Sequence, residues 1–158
     1  MLQSIHMDYS KSILLYQDRP KYGLLLKLIL IIPMAFLGAS IYSWLSGDSS
    51  DSLALLLEAL VIGLVFWFVF PREYRVYEDH LRILLGGPFS VKIGLQNISV
   101  IRVTSRLSFG VNFVTRITRS HVEIVKKKGW SIAITPTLDD LFVENANRAL
   151  TEWLKNKT

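Results

Sequence analysis

The sequence predicts an α+β protein: a transmembrane helical hairpin, then a small seven-stranded β-sandwich or barrel capped by a C-terminal α-helix. Three observations carry that prediction. Apolar residues make up 51% of the chain, enough for a mean hydropathy of +0.35, and their excess is concentrated in residues 24–70. From residue 71 the pattern changes to short alternating runs rich in β-branched and aromatic residues, punctuated by glycine. From residue 138 apolar side chains recur every three to four residues, one face of a helix. A length of 158 residues allows one ordinary domain. The chain therefore divides into an N-terminal segment 1–23, a hairpin 24–70 and a water-side domain 71–158.

The hairpin comes first. "LLLKLILIIPMAFLGASIYSWLS" (24–46) and "SLALLLEALVIGLVFWFVF" (52–70) each carry one charge, and about 20 apolar residues suffice to cross a bilayer as a helix. The five-residue polar turn between them, "GDSSD", forces antiparallel helices. Pro33 would break a soluble helix but is tolerated in a membrane one. Tyr42, Trp44 and Trp67 fall near the expected interfaces. A cleavable signal peptide is the competing reading of the first run, with "GAS" at 38–40 as the cleavage site. The 23 residues ahead of the run are long for such a peptide, and the run continues past the site to Trp44. Lys11, Arg19 and Lys21 precede the first span and Arg72, Arg75 and Arg82 follow the second, while the turn carries Asp48 and Asp51. The positive-inside rule then predicts a multi-pass cell-membrane protein with both termini cytoplasmic.

Two charges lie within the apolar runs. Lys27 is in the first turn of its helix and can snorkel to the headgroups. Glu58 lies about 4–5 Å from the midplane on the outer side, and Lys27 about 12 Å from it on the inner side, so the two cannot pair. An ionised carboxylate at that depth costs several kcal/mol, which calls for a partner or a proton. Ser40 is expected at a similar depth, so Glu58 with Ser40 forms a candidate intramembrane polar site. The plainer reading is a carboxyl accommodated by serine or backbone within the hairpin.

In the water-side domain, strands are predicted at 73–78, 81–85, 89–93, 98–105, 111–118, 121–128 and 131–135, with a bulge near Ile101. "GGP" (86–88) marks a turn, and Gly129 supplies the positive φ of the turn in "KKKGW". The last element, 138–155, buries Leu138, Leu141, Phe142, Ala146, Ala149, Leu150, Trp153 and Leu154. Thr137 is its expected N-cap, with Asp139 and Asp140 in the first turn and Lys155 near the end, both suited to the helix dipole.

Tyr74, Val76, Asp79, Leu81, Ile83 and Gly86 follow the spacing Y-x-V-x-x-(D/N)-x-L-x-I-x-x-G. Leu95, Asn97, Ile98 and Ile101 follow a second short pattern, and Ile134, Thr135 and Pro136 stand before the helix that carries Phe142. In this order the chain resembles small bacterial membrane proteins with a two-helix transmembrane hairpin and a C-terminal PH-like (pleckstrin-homology-like) domain, over about residues 72–155. The resemblance implies seven strands closed by one amphipathic helix. "ITRSHVEIV" departs from the "S-x-D-R" type of segment that often precedes the sixth strand there.

No residues suggest catalysis. His6, His80 and His121 are scattered without metal-ligand spacing and read as ordinary surface or turn residues. "LLGGPFS" lacks the lysine and helix of a phosphate loop, and there is no cysteine. The expectation is a non-enzyme without catalytic residue, metal or cofactor. The basic excess lies in residues 71–158, with 14 basic and 8 acidic groups. Lys126, Lys127, Lys128 and Trp130 form the candidate headgroup-binding site, since basic residues at an anionic leaflet each contribute about 1 kcal/mol; the plainer reading is a solvated hairpin tip. Nucleic acid is an unlikely partner without a wider aromatic platform. The expected function is a membrane-anchored interaction module that binds a protein partner, its own copies as a homo-oligomer, or anionic lipid headgroups. The resemblance adds self-protection against a membrane-active bacteriocin as an alternative, and Glu58 adds an accessory subunit of a membrane transport assembly.

Overall fold

The computed structural model describes residues 12–47, 49–106, 110–116 and 120–156. The first apolar run forms two helices, α1 (Leu24–Ile29) and α2 (Ile32–Leu45), and the second forms one, α3 (Ser49–Val69). The break at Leu30–Ile31 has a local cause. Pro33 has no N–H to offer the carbonyl one turn earlier, and its ring crowds that turn. Gly47, with φ +87°, ends the first span in a conformation that glycine adopts without steric cost. The stretches long and apolar enough to cross a membrane are Leu26–Leu45 and Ser50–Val69, each only 6% buried within the chain. Helices apolar on all sides and left uncovered by their own chain need lipid or another chain around them.

The domain holds eight described strands in two four-stranded sheets. The first sheet runs β1 (Leu14–Asp18), β2 (Glu73–Tyr77), β3 (His80–Leu84) and β4 (Ser90–Gly94), all antiparallel neighbours. The second contains β5 (Ile98–Thr104), β6 (Gly110–Phe113), β7 (His121–Lys126) and β8 (Ser131–Ile134), in the order β5-β7-β8-β6 with β6 parallel to β8. Two expectations are corrected here. A closed barrel does not form, and the seven predicted strands gain an eighth from the segment ahead of the apolar helices. Strand β1 is "LLYQD", short and without clean alternation, and its partner β2 is more than fifty residues away, so nothing local marks it. Its pairing also argues against a cleavable first span, because cleavage at 38–40 would remove an edge strand of the sheet.

The buried faces follow the period of two. Tyr74 and Val76 of β2, Leu81 and Ile83 of β3, Ile98 and Ile101 of β5, and Val122 and Ile124 of β7 form the core with Ile132 and Ile134. The register shift in β5 falls between Ile98 and Val100, which puts the bulge at Ser99 rather than at Ile101. Strand β6 is shorter than the predicted 111–118, and of that range 117–118 lies outside the described residues.

The last helix, α4 (Asp139–Lys155), packs on β1 and β2 of one sheet and on β5 and β7 of the other. Phe142, Ala146 and Ala149 are buried on it; Val143, Leu150 and Trp153 are half-buried against the core. Leu138, Leu141 and Leu154 are exposed, against expectation. Thr137 is not the N-cap either. Leu138 holds that position without a side-chain bond of its own. Its N–H donates to the Asp18 carboxylate at 2.9 Å, and the Thr137 hydroxyl donates to the Arg19 carbonyl. The segment ahead of the apolar helices caps the C-terminal helix.

Candidate functional site

The two segments that flank the hairpin meet beside it. Lys21 N–H donates to the Thr135 carbonyl and Gly23 N–H to the Thr115 carbonyl, both at 2.9 Å. The buried hydroxyls of Thr115 and Thr135 lie 2.9 Å apart, and that of Thr115 also donates to the Lys21 carbonyl. On the other flank the Gly86–Gly87 turn lies against the last turn of α3. A Cβ at Gly86 would fall on the Trp67 carbonyl, and Gly87 (φ +63°) faces the Phe68 ring. Phe68 and Phe89 meet edge to face at 5.3 Å. These contacts mark one end of the sheets as the end at the helices.

The basic hairpin lies at the other end. From Glu73 to Tyr77, β2 carries the chain about 13 Å away from Pro71. The turn that follows accepts Leu95 N–H at the Asp79 carbonyl, and the 3₁₀ turn Leu95–Asn97 accepts Lys127 N–H at the Asn97 carbonyl. Lys127, Lys128 and Trp130 are exposed there, Trp130 at 72%, and Lys126 is half-buried at the end of β7. Gly129 has the positive φ its turn requires, +84°. A separation of about 13 Å exceeds the Debye length of about 8 Å at physiological ionic strength. The candidate headgroup site is therefore on the face remote from the helices.

Ser40 and Glu58 are not brought together. Ser40 is buried, and its hydroxyl donates to the Ser52 carbonyl at 2.7 Å, bracing the two helices near their turn. Glu58 lies six residues further along α3, about 9 Å down the axis. Its side chain is exposed, beside the seam that Ala59 buries against α2.

A feature that the sequence reading did not single out lies where the helices enter the domain. Below the break, Leu30, Pro33 and Met34 face Gly63, Phe66 and Phe70 across a cleft of about 320 Å³. Tyr22, Trp67 and Arg72, at the domain ends of the helices, line it as well. The Arg72 guanidinium lies over the Trp67 ring, 3.7 Å from its centre. The Tyr22 hydroxyl donates to the Pro71 carbonyl at 2.5 Å. Burial pushes the Tyr22 phenol up from its ordinary range, and the nearby Arg72 charge works against that. The residues "WFVFPR" carried a signal of an interfacial aromatic and a cation five apart. Their convergence with Tyr22 and Pro33 required the fold.

Two of the three histidines differ from expectation in burial, and His6 lies outside the described residues. His80 is buried, stacked on Tyr77 at 4.5 Å with Nδ1 2.6 Å from Asp79. His121 is buried at the start of β7. Arg116 and Asp139 pair at 2.9 Å beside the Thr115 junction. Burial pushes the Asp139 carboxyl above its ordinary range, with Arg116 opposing. No protein-family model, curated protein or solved structure matches the chain.

Proposed function

We propose that the chain is a non-enzymatic, membrane-anchored interaction module. The helix pair anchors it, the two-sheet domain is PH-like and stands at the cytoplasmic face, and the hairpin of Lys127, Lys128 and Trp130 meets a protein partner. The observation that carries this reading is the exposed Trp130 at the end of the domain remote from the helices. Tryptophan is enriched where binding energy concentrates in protein interfaces. Beyond a Debye length from the bilayer, the adjoining lysines attract an acidic protein surface more effectively than they attract headgroups. A photo-reactive residue at position 130 of the full chain, Trp130→benzoylphenylalanine, should give a discrete protein adduct in cells, and Lys127→Glu with Lys128→Glu should abolish it. Adducts with lipid alone would sink the reading.

A second reading, a subunit of a larger membrane assembly, is favoured by one observation. Glu58 is exposed on α3 inside an apolar span, where acids are rare and face partners or cavities.

A further inference from the structure

We propose that the cleft between the two membrane helices binds an anionic phospholipid, with one acyl chain between the break at Pro33 and the α3 wall and its phosphate on Arg72. The inference rests on membrane insertion but not on any role for the Lys126–Lys128 hairpin.

The cleft is a consequence of the sequence. Pro33 interrupts the first span, and Gly63 faces it without a side chain; even a Cβ at Gly63 would reach the Pro33 Cβ only at 3.9 Å. A cavity of about 320 Å³ with apolar walls is at the lower end of the range for small-molecule sites, about 300–1,000 Å³. Among its described lining residues Arg72 is the one charge. That charge stands three residues beyond the end of α3, at the level of a headgroup rather than of the acyl chains. Trp67 holds the guanidinium by a cation–π contact, and an arginine so held presents its fork of N–H groups to a phosphate. The Tyr22 hydroxyl is committed to the Pro71 carbonyl, so it stiffens that end of the cleft and leaves the anion to Arg72.

The chemistry chooses the occupant. A free phosphate has no use for walls of leucine, proline and phenylalanine. A second copy that met the cleft with the same face across a twofold axis would bring its own Arg72 to this one, placing like charges together. A phospholipid matches both halves of the site, and an anionic one matches the cation.

The test uses the full chain, purified in mild detergent, stripped of lipid and offered an equimolar mixture of phosphatidylglycerol and phosphatidylcholine, with retained lipid read by native mass spectrometry. One phosphatidylglycerol per chain is expected, preferred by roughly fivefold, the effect of one basic residue at a lipid surface. Arg72→Gln should remove the preference and Arg72→Lys keep most of it; Arg72 is exposed, so neither change disturbs the core. Gly63→Leu should lower retention of both lipids by filling the cleft. Lys126→Gln, Lys127→Gln and Lys128→Gln together should leave the preference intact, as should excess inorganic phosphate. No preference in the wild-type chain, a preference that survives Arg72→Gln, or loss of bound lipid to inorganic phosphate would overturn the proposal. Failure here would leave the cross-link at position 130 untouched.

Discussion

Two aromatic side chains of α4 separate what a residue contributes from what its pattern suggests. Both Phe142 and Trp153 fall on the apolar face of the helix. Phe142 is 1% exposed and meets Tyr16 and Tyr74 edge to face at 6.2 Å each. Trp153 is only half-buried at the helix end. Truncating a fully buried phenylalanine costs about 3–5 kcal/mol. Phe142→Ala should therefore lower the urea midpoint of the full chain far more than Trp153→Ala does, and equal losses would mean that the helix packs in another rotation. Asp139 gives a second prediction at this scale. Its carboxyl is pushed upward, chiefly by burial and against the pull of Arg116. The folded chain then keeps this proton to a higher pH than the unfolded chain does. The unfolded state binds fewer protons in that window, so stability falls as pH rises from the ordinary aspartate value of about 3.9 through the folded one. Asp139→Asn should flatten that decline. Urea midpoints of both proteins from pH 4 upward check the sign, and a steeper decline in the variant would refute it.

Among the elements, β1 alters the account most. It pairs with β2 from Leu14↔Tyr77 to Asp18↔Tyr74, carries Tyr16 against the core, and places Asp18 where it caps α4. A side-chain cap contributes about 0.5–2 kcal/mol, so Asp18→Ala should destabilise the chain by about 1 kcal/mol although it lies 120 residues from the helix it caps. The companion variant Thr137→Ala removes the local residue with the better capping sequence, whose hydroxyl bonds to Arg19 instead. If chemical denaturation shows the helix content of Asp18→Ala unchanged and the loss confined to Thr137→Ala, the cap is local after all. The same strand implies that residues 71–158 alone leave an edge of β2 bare. That segment should melt below one to which residues 12–23 are joined by a flexible linker, as followed by circular dichroism.

For the molecule as a whole, what was legible follows from where physical constraint is local. Crossing a bilayer would impose length and hydropathy on contiguous residues, so the two stretches apolar enough for it, Leu26–Leu45 and Ser50–Val69, are legible to within two residues. The alternation of Tyr74 with Val76 and of Leu81 with Ile83, and the helical spacing of Phe142, Ala146 and Ala149, are local in the same way. The edge strand, the remote position of Lys127 and the meeting of Tyr22, Pro33 and Arg72 are not, because each depends on contacts between distant segments. One of those contacts also sharpens the question of orientation. Strands β1 and β2 belong to one sheet, so the segments before and after the hairpin lie on the same side of any membrane it crosses, and a single binary choice remains. Charge gives the expectation for that choice: Arg19, Lys21, Arg72, Arg75 and Arg82 flank the domain side, while residues 46–58 between them carry no lysine or arginine. The bias of lysine and arginine toward the cytoplasm predicts that the domain lies inside. The chain has no cysteine, so single-cysteine variants report without background. A membrane-impermeant maleimide should label Ser46→Cys in intact cells, and Trp130→Cys only after permeabilisation. The reverse pattern would place the Trp130 hairpin outside the cell and turn Arg72 toward the outer leaflet. Labelling of both sites in intact cells would mean that the two apolar helices do not cross the membrane, and every role assigned to the cleft would fall with them.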